Sequence, residues 1–493
     1  MSGVSTIKKY LTTKYLRGVK MDNPKKIGAS IVLKSGFWYT VCDFLQKSLH
    51  FITVPLFSRI MLKSDIGYFG NMSSWMSILT VLTSFELSQS IIRSKLEIKE
   101  DLDSYIWSIL SLTTITTGVA YIVFCLFPDF FSGLINVEPR HFHIMFLYLL
   151  TAPAFSMFIT KQRAFYKYKS FVIITLISSV AATVLSLTLV LLLTDKLTGR
   201  IYGGYVPHIV IGTVFYVLLL CKGKRIKTEH WKYSLTLMLP LVPHVLSLSL
   251  LSSSDRIIIT RVCGTEYTAV YTIAYSCYHI ATVLFHSMNK AWAPWLLDNL
   301  HTKNYSEIRN VSKKYIGLFA ILINIVYFLA PEIIWLLGGK SYADAVFCIP
   351  PLIASCVIQM IYTMYVNVEF YAKKTIGVSI GTIIAAAVNI LLNVLLIPLY
   401  PERGYTIAAY TTLVGYALLF VIHYFLVKRL HYEHVFDIRF LLMVIALTIA
   451  IAVGSNILYS HTIIRYSVVA AYSIAILYVT IKNKKMILSV IKK

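Results

Sequence analysis

The chain has 493 residues, 57% of them apolar and 14% charged, about half the charged share of a soluble domain. Its apolar residues fall in blocks of about 20, the length that crosses a bilayer as a helix, which excludes a soluble globular protein and also a barrel built of alternating segments of about ten residues. A net charge of +24 would point to nucleic acid in a soluble chain; in a membrane chain it reports orientation, and no nucleic-acid partner is expected.

Residues 1–34 hold eight Lys and Arg, with Ile7, Leu11, Tyr15 and Val19 recurring every four positions among them. That pattern fits either a helix lying on the inner leaflet or a basic tail. The first apolar block, 35–58, reads SGFWYTVCDFLQKSLHFITVPLFS and carries Tyr39, Asp43, Gln46, Lys47 and His50. Helical spacing puts all five on one face. Lys47 falls near mid-span, where a charge costs a few kcal/mol or more unless it faces protein or water. This helix is therefore expected to line a wet interior, with Asp43 one turn away tuning the charge of Lys47.

Fourteen spans follow from the hydropathy: 35–58, 66–91, 104–127, 142–160, 170–194, 202–221, 233–254, 266–289, 315–334, 344–366, 376–399, 404–427, 440–457 and 466–481. With that count, 35 of the 46 Lys and Arg fall on the side of the termini, ten on the other, and Lys47 remains inside. The split predicts cytoplasmic termini. No loop is long enough for a soluble domain. Around Phe165 and Phe370 an internal repeat is visible, matching Tyr166 with Tyr371, Lys169 with Lys374, Ala181 with Ala386 and Ala182 with Ala387. It predicts an all-α, polytopic protein of two six-helix lobes, 35–222 and 223–430, related by an axis along the membrane normal. Residues 431–493 then add two helices and a basic cytoplasmic tail.

Polar residues gather in the first two spans of each half. Glu86 lies near the cytoplasmic end of the second span. In the seventh, Pro240 and Pro243 remove two backbone donors and predict a kink; His244, Ser247 and Ser254 follow on one face, with Asp255 and Arg256 at the outer end. The eighth carries Tyr275, His279, Thr282, His286 and Lys290 on one face. Lys47, His50, His244, His279, His286 and Lys290 together predict a cavity that favours an anionic guest, with His able to protonate near neutral pH. Asn389 and Asn393, one turn apart in the eleventh span, predict either an ion site or an interhelical bond, the bond being favoured because neutral amides hold a cation poorly. GxxxxGK[ST], HExxH and GxSxG are all absent, so neither an ATP-driven engine nor a catalytic site is expected. The seven cysteines are scattered without a CxxC pair, so no disulfide framework, metal or cofactor is expected.

The segments LPLVPHVLSLSLLSSSDRIII from Leu239, AVYTIAY from Ala269, NKAWAPWLL from Asn289 and YVNVEFYAKKT from Tyr365 make the chain similar to the polysaccharide flippases, the Wzx-type branch of the multidrug/oligosaccharidyl-lipid/polysaccharide exporter superfamily. The resemblance implies two six-helix lobes, two extra helices and a cationic central cavity. It implies a non-enzymatic flippase that moves a polyprenyl-diphosphate-linked oligosaccharide across the bacterial plasma membrane for O-antigen, capsule or exopolysaccharide synthesis. Membrane lipids, a glycan polymerase and a chain-length regulator are the partners it implies. Relatives that use sodium tend to carry an acid in the seventh or eleventh span; here neither span shows a mid-span carboxylate, which argues against a sodium site. A drug or cation antiporter of the same superfamily is the alternative, and would prefer an acidic cavity. A membrane glycan polymerase or ligase ranks below it for want of a large outer loop.

Overall fold

A computed structural model describes residues 29–98, 101–223 and 225–482, with the His50 side chain outside the description. The basic segment before residue 29, and with it the amphipathic pattern from Ile7 to Val19, also lies outside the described residues. Among those described there is no strand. The helices, in chain order, are α1 (Ala29–Ile60), α2 (Lys63–Ser84), α3 (Ile91–Glu97), α4 (Leu102–Leu126), α5 (Pro128–Ile135), α6 (Phe142–Ala164), α7 (Tyr168–Leu192), α8 (Lys196–Gly223), α9 (Thr228–Met238), α10 (Val242–Val262), α11 (Thr265–His301), α12 (Tyr305–Phe328), α13 (Ala330–Gly338), α14 (Ile349–Tyr371), α15 (Thr375–Leu396), α16 (Gly404–Arg429), α17 (Ile438–Leu458) and α18 (Thr462–Lys482).

Ten of the described helices are long and apolar enough to cross a membrane, and eleven if α9 and α10 count as one broken span. The protein is thus a multi-pass, all-α membrane protein. α1, α2 and α18 occupy the remaining predicted spans without meeting that criterion, so fourteen spans stays an expectation. Polar residues such as Asp43 and Lys47 lower the hydropathy of α1, and Asn71 and several serines that of α2. The kink expected at Pro240 and Pro243 is present: α9 and α10 meet at a bend of 59°, with Pro243 in the first turn of α10, where a missing N–H costs least. α2 ends at Phe85 and Glu86, both in left-handed backbone with φ of 47° and 52°.

Packing relations recur between the halves. α1 packs on α7 as α10 packs on α15, α7 on α8 as α15 on α16, and α6 on α8 as α14 on α16. The burial is uneven. Along its apolar window α14 is 83% buried and α11 72%, whereas α7 and α8 are 22% buried and turn faces such as Ile173, Ile177 and Val184 outward. α14 and α11 therefore form the central posts, and α7 and α8 the lipid-facing flank. Arg465 anchors the last helix: Nη2 bonds Glu332 Oε1 on α13 at 2.6 Å and Nη1 the Phe328 carbonyl at 2.6 Å.

The two halves meet along α2, which packs on α10 and α11. We call the end of the bundle where α1 finishes the far end and the opposite one the near end. At the far end the seam is tight. A Cβ on Gly67 would stand 1.7 Å from the Thr265 carbonyl oxygen, and one on Gly70 2.7 Å from Thr272 Oγ1. Beside them Ser58 donates to the Leu337 carbonyl at 2.6 Å, and Arg59 to the carbonyls of Leu336 and Trp335 at 3.0 and 3.1 Å. Gly67→Ala forces backbone apart at that seam, an overpacking cost of about 1–3 kcal/mol. The expected outcome is faster modification of Ser73→Cys, just inside the seam, by a charged thiol reagent when both changes are combined in purified protein. An unchanged rate would mean that this contact does not close the far end.

Candidate functional site

Between the halves, α1 and α11 enclose a cavity of about 280 Å³ lined by Asp43, Phe44, Lys47, His286 and Lys290 among others. Lys290 Nζ donates to Asp43 Oδ2 at 2.8 Å, with both side chains about half exposed to the cavity. Asp43 thus makes its ion pair with Lys290, while its charge also bears on Lys47 one turn away, as expected. Asp43 reaches across the seam to α11, and among the described residues Lys47 has no carboxylate partner. Two ammonium groups and one imidazole face a single carboxylate, so with His286 neutral the site carries one net positive charge.

The five-residue face expected of α1 divides. At about 100° per residue, Gln46 and Lys47 mark the edges of an arc roughly 100° wide, and the two edges meet different neighbours. Gln46 Nε2 donates to Ser179 Oγ of α7 at 2.7 Å, and the Tyr39 ring packs on Phe171 of the same helix. Both belong to packing. Asp43 and Lys47, on the other edge, line the cavity.

On α11 the predicted face divides over two cavities, and Thr282 lines neither, bonding back to the His279 carbonyl. His286 and Lys290 line the first. His279 and Tyr275 line a second, of about 320 Å³, nearer the far end. That cavity is also lined by Val54 and Phe57 of α1, Phe69 and Ser73 of α2, Ser252 and Arg256 of α10, and Arg200 of α8. By the predicted spans both arginines fall in outer loops, because a charge ends an apolar block in a hydropathy scan; the helices continue through them, and the side chains turn inward. His244 and Glu86 line neither cavity. His244 stands in the first turn of α10 and Glu86 at the left-handed break after α2.

The seventh span likewise runs to Val262 and not to 254, so Asp255 is inside a helix and fully buried. Its Oδ1 accepts from Asn393 Nδ2 at 2.6 Å, and its Oδ2 from Thr412 Oγ1 at 2.6 Å and from the Tyr271 hydroxyl. Ser254 Oγ donates to Asn389 Oδ1 at 3.3 Å, and Thr411 Oγ1 to Asn393 Oδ1. The expectation that Asp255 stands at the outer end of its span is corrected: it lies within α10 and is buried. Asn389 and Asn393 do make the interhelical bonds expected of them, and they make them around Asp255. Among the described residues no group of three or more His, Cys, Asp or Glu could hold a metal ion.

Residues 32–300, more than half the chain, match the polysaccharide biosynthesis protein family. The chain belongs to that family. It is 22% identical to an uncharacterized membrane protein of Methanocaldococcus jannaschii, over 82% of this chain and 85% of that one. Among solved structures it resembles the lipid II flippase MurJ in an inward closed conformation, with a TM-score of 0.66 at 13% identity, covering 91% of this chain and 99% of MurJ. It also resembles an inward-facing multidrug resistance MATE family transporter of the MOP superfamily, with a TM-score of 0.58 at 14% identity, covering 79% and 95%. The chain is thus a member of the polysaccharide biosynthesis protein family with the fold seen in MurJ and in that MATE transporter.

A double-mutant cycle tests the pairing in the first cavity. Asp43→Asn and Lys290→Gln should each shift unfolding by less than about 1 kcal/mol, as half-exposed pairs do, and the two should couple measurably. Asp43→Asn with Lys47→Gln should couple more weakly than that pair. Unfolding midpoints in detergent decide between the partners, and coupling confined to Asp43 and Lys47 would contradict the geometry.

Proposed function

We propose that the protein is a flippase for a polyprenyl-diphosphate-linked oligosaccharide, serving O-antigen, capsule or exopolysaccharide synthesis at a bacterial plasma membrane, with both termini cytoplasmic. Residues 35–222 and 223–430 act as two lobes about the first cavity, and 431–493 as an appended pair of helices with a basic tail. The observation that carries this reading is Lys47, a cation on α1 lining the cavity between the lobes, with no carboxylate partner among the described residues while its neighbour Asp43 is taken by Lys290. Such a charge at bilayer depth is retained where a ligand or water meets it, and a diphosphate supplies the opposite charge. The polyprenyl tail stays in lipid while the head crosses. A glycan polymerase and a chain-length regulator would take the product on the far side. A drug or cation antiporter is disfavoured because the cavity's cations outnumber Asp43.

Asp255 is the proposed coupling site. A fully buried carboxylate surrounded by Asn389, Asn393, Thr411 and Thr412 offers oxygens to a monovalent cation travelling against the substrate, and Asp255 supplies the charge that the amides lack.

Loss of the protein should leave lipid-linked repeat units assembled but held on the cytoplasmic leaflet; intermediates that accumulate unpolymerised on the outer leaflet would instead assign it to polymerisation. The exposed positions Glu402 and Lys222 lie at opposite ends of the bundle. Cysteine at Glu402 should react with an impermeant thiol reagent in intact cells, and cysteine at Lys222 only after the membrane is opened. The reverse pattern would invert the orientation.

Asp255→Asn keeps one acceptor oxygen, enough for Tyr271 and Thr412, and turns an amide N–H toward Asn393, so export is read per inserted protein. If Asp255 couples transport, glycan export per inserted protein should fall by at least roughly fivefold, in the range of coupling free energies. Export at the parent level would leave Asp255 as packing alone.

A further inference from the structure

The second cavity carries charge that the first does not explain. Arg200 enters from α8 with its guanidinium 4.0 Å from the centre of the Phe57 ring and 4.4 Å from that of Phe69. Nη1 donates to Ser186 Oγ at 2.7 Å. Arg256 enters from α10 over the Tyr275 ring at 4.7 Å. Its Nε donates to Ser74 Oγ at 2.8 Å and its Nη2 to the Ser252 carbonyl at 3.0 Å. Among the described residues neither arginine has a carboxylate partner. The adjacent carboxylate, Asp255, takes its hydrogen bonds from Tyr271, Thr412 and Asn393 and forms no ion pair with Arg256, although the Arg256 charge bears on it.

A guanidinium presents five N–H donors in a rigid fork. The bonds above occupy one at Arg200 and two at Arg256, and the aromatic rings hold the guanidinium planes in place. Arg465, by contrast, is matched with a carboxylate, Glu332. Two unmatched guanidinium groups in one cavity repel each other, and their forks fit phosphate oxygens.

We propose that Arg200 and Arg256 form a second anion station, taking the diphosphate of the lipid-linked substrate after it leaves Lys47 and Lys290 and before it is released at the far end. The proposal rests on the flippase reading above and adds a second resting place for the phosphates. The two stations adjoin along the path. On α11, His279 lines the far cavity and Val283 and His286 the near one. On α1, Lys47 lines the near cavity and Phe57 the far one, a rise of about 15 Å at 1.5 Å per residue. A cavity of about 320 Å³ lies at the small end of ligand sites, which start at roughly 300 Å³. It suits a phosphate head and not a whole oligosaccharide. The far station is also beside the seam at Gly67 and Gly70, so an anion between Arg200 on α8 and Arg256 on α10 would bear on both halves where they must separate.

The test is equilibrium binding of inorganic pyrophosphate to the purified full-length protein in nanodiscs of uncharged lipid. The parent should bind two pyrophosphates. Arg200→Gln with Arg256→Gln should weaken one site by roughly tenfold or more, the loss of charge-assisted bonds, and leave the other; Lys47→Gln should do the converse. One bound pyrophosphate, sensitive to Lys47→Gln and indifferent to the arginine changes, overturns the second station and leaves the flippase reading standing. No binding by the parent, or binding that none of these changes affects, removes the anionic-substrate reading and the second station with it. Should the glutamine variant fail to insert, Arg200→Lys with Arg256→Lys keeps the charge and loses the fork: a second site weakened by fivefold or more supports the proposal, and unchanged affinity overturns it.

Discussion

An ionised group at bilayer depth must face protein or water, because lipid cannot solvate it. That constraint sorts the charged residues of this chain into two kinds. Arg465 is matched by Glu332. Buried Glu369 meets buried His423 at 2.6 Å, and Asp255 is enclosed by hydroxyl and amide donors. These groups belong to the frame and to the proposed coupling site. Lys47, Arg200 and Arg256 have no carboxylate partner among the described residues, and all three line a cavity between the halves. The distinction between framework and site is therefore one of charge balance.

The seam that holds these cavities is weakly bonded for its length. It rests on close backbone approach at Gly67 and Gly70, on a Ser77–Ser249 hydroxyl contact of 2.9 Å, on Arg256 with Ser74, and on the half-exposed Asp43–Lys290 pair. Small residues let helices touch without interlocking long side chains. The extensive apolar core lies elsewhere, chiefly from α10 to α17. The proposed transport requires this seam to part and re-form while the groups on either side stay intact. That is the mechanical requirement for moving a charged head past a barrier without opening a continuous pore.

The hydropathy of the chain by itself determined an all-α membrane protein, the approximate place of each long helix, the break at Pro240 and Pro243, and polar residues on α1 and α11, of which Lys47, His286 and Lys290 share one cavity. These are properties of period and transfer free energy, which depend on local sequence alone. Tertiary structure decided which edge of each polar face meets which neighbour. It gave Gln46 to α7 and Asp43 to Lys290 across the seam, and left His244 and Glu86 outside both cavities. It also recovered Arg200, Arg256 and Asp255 from supposed loops. A charge ends an apolar block in sequence whether it faces solvent, a partner or a cavity, and only the packing of helices far apart in the chain tells these apart.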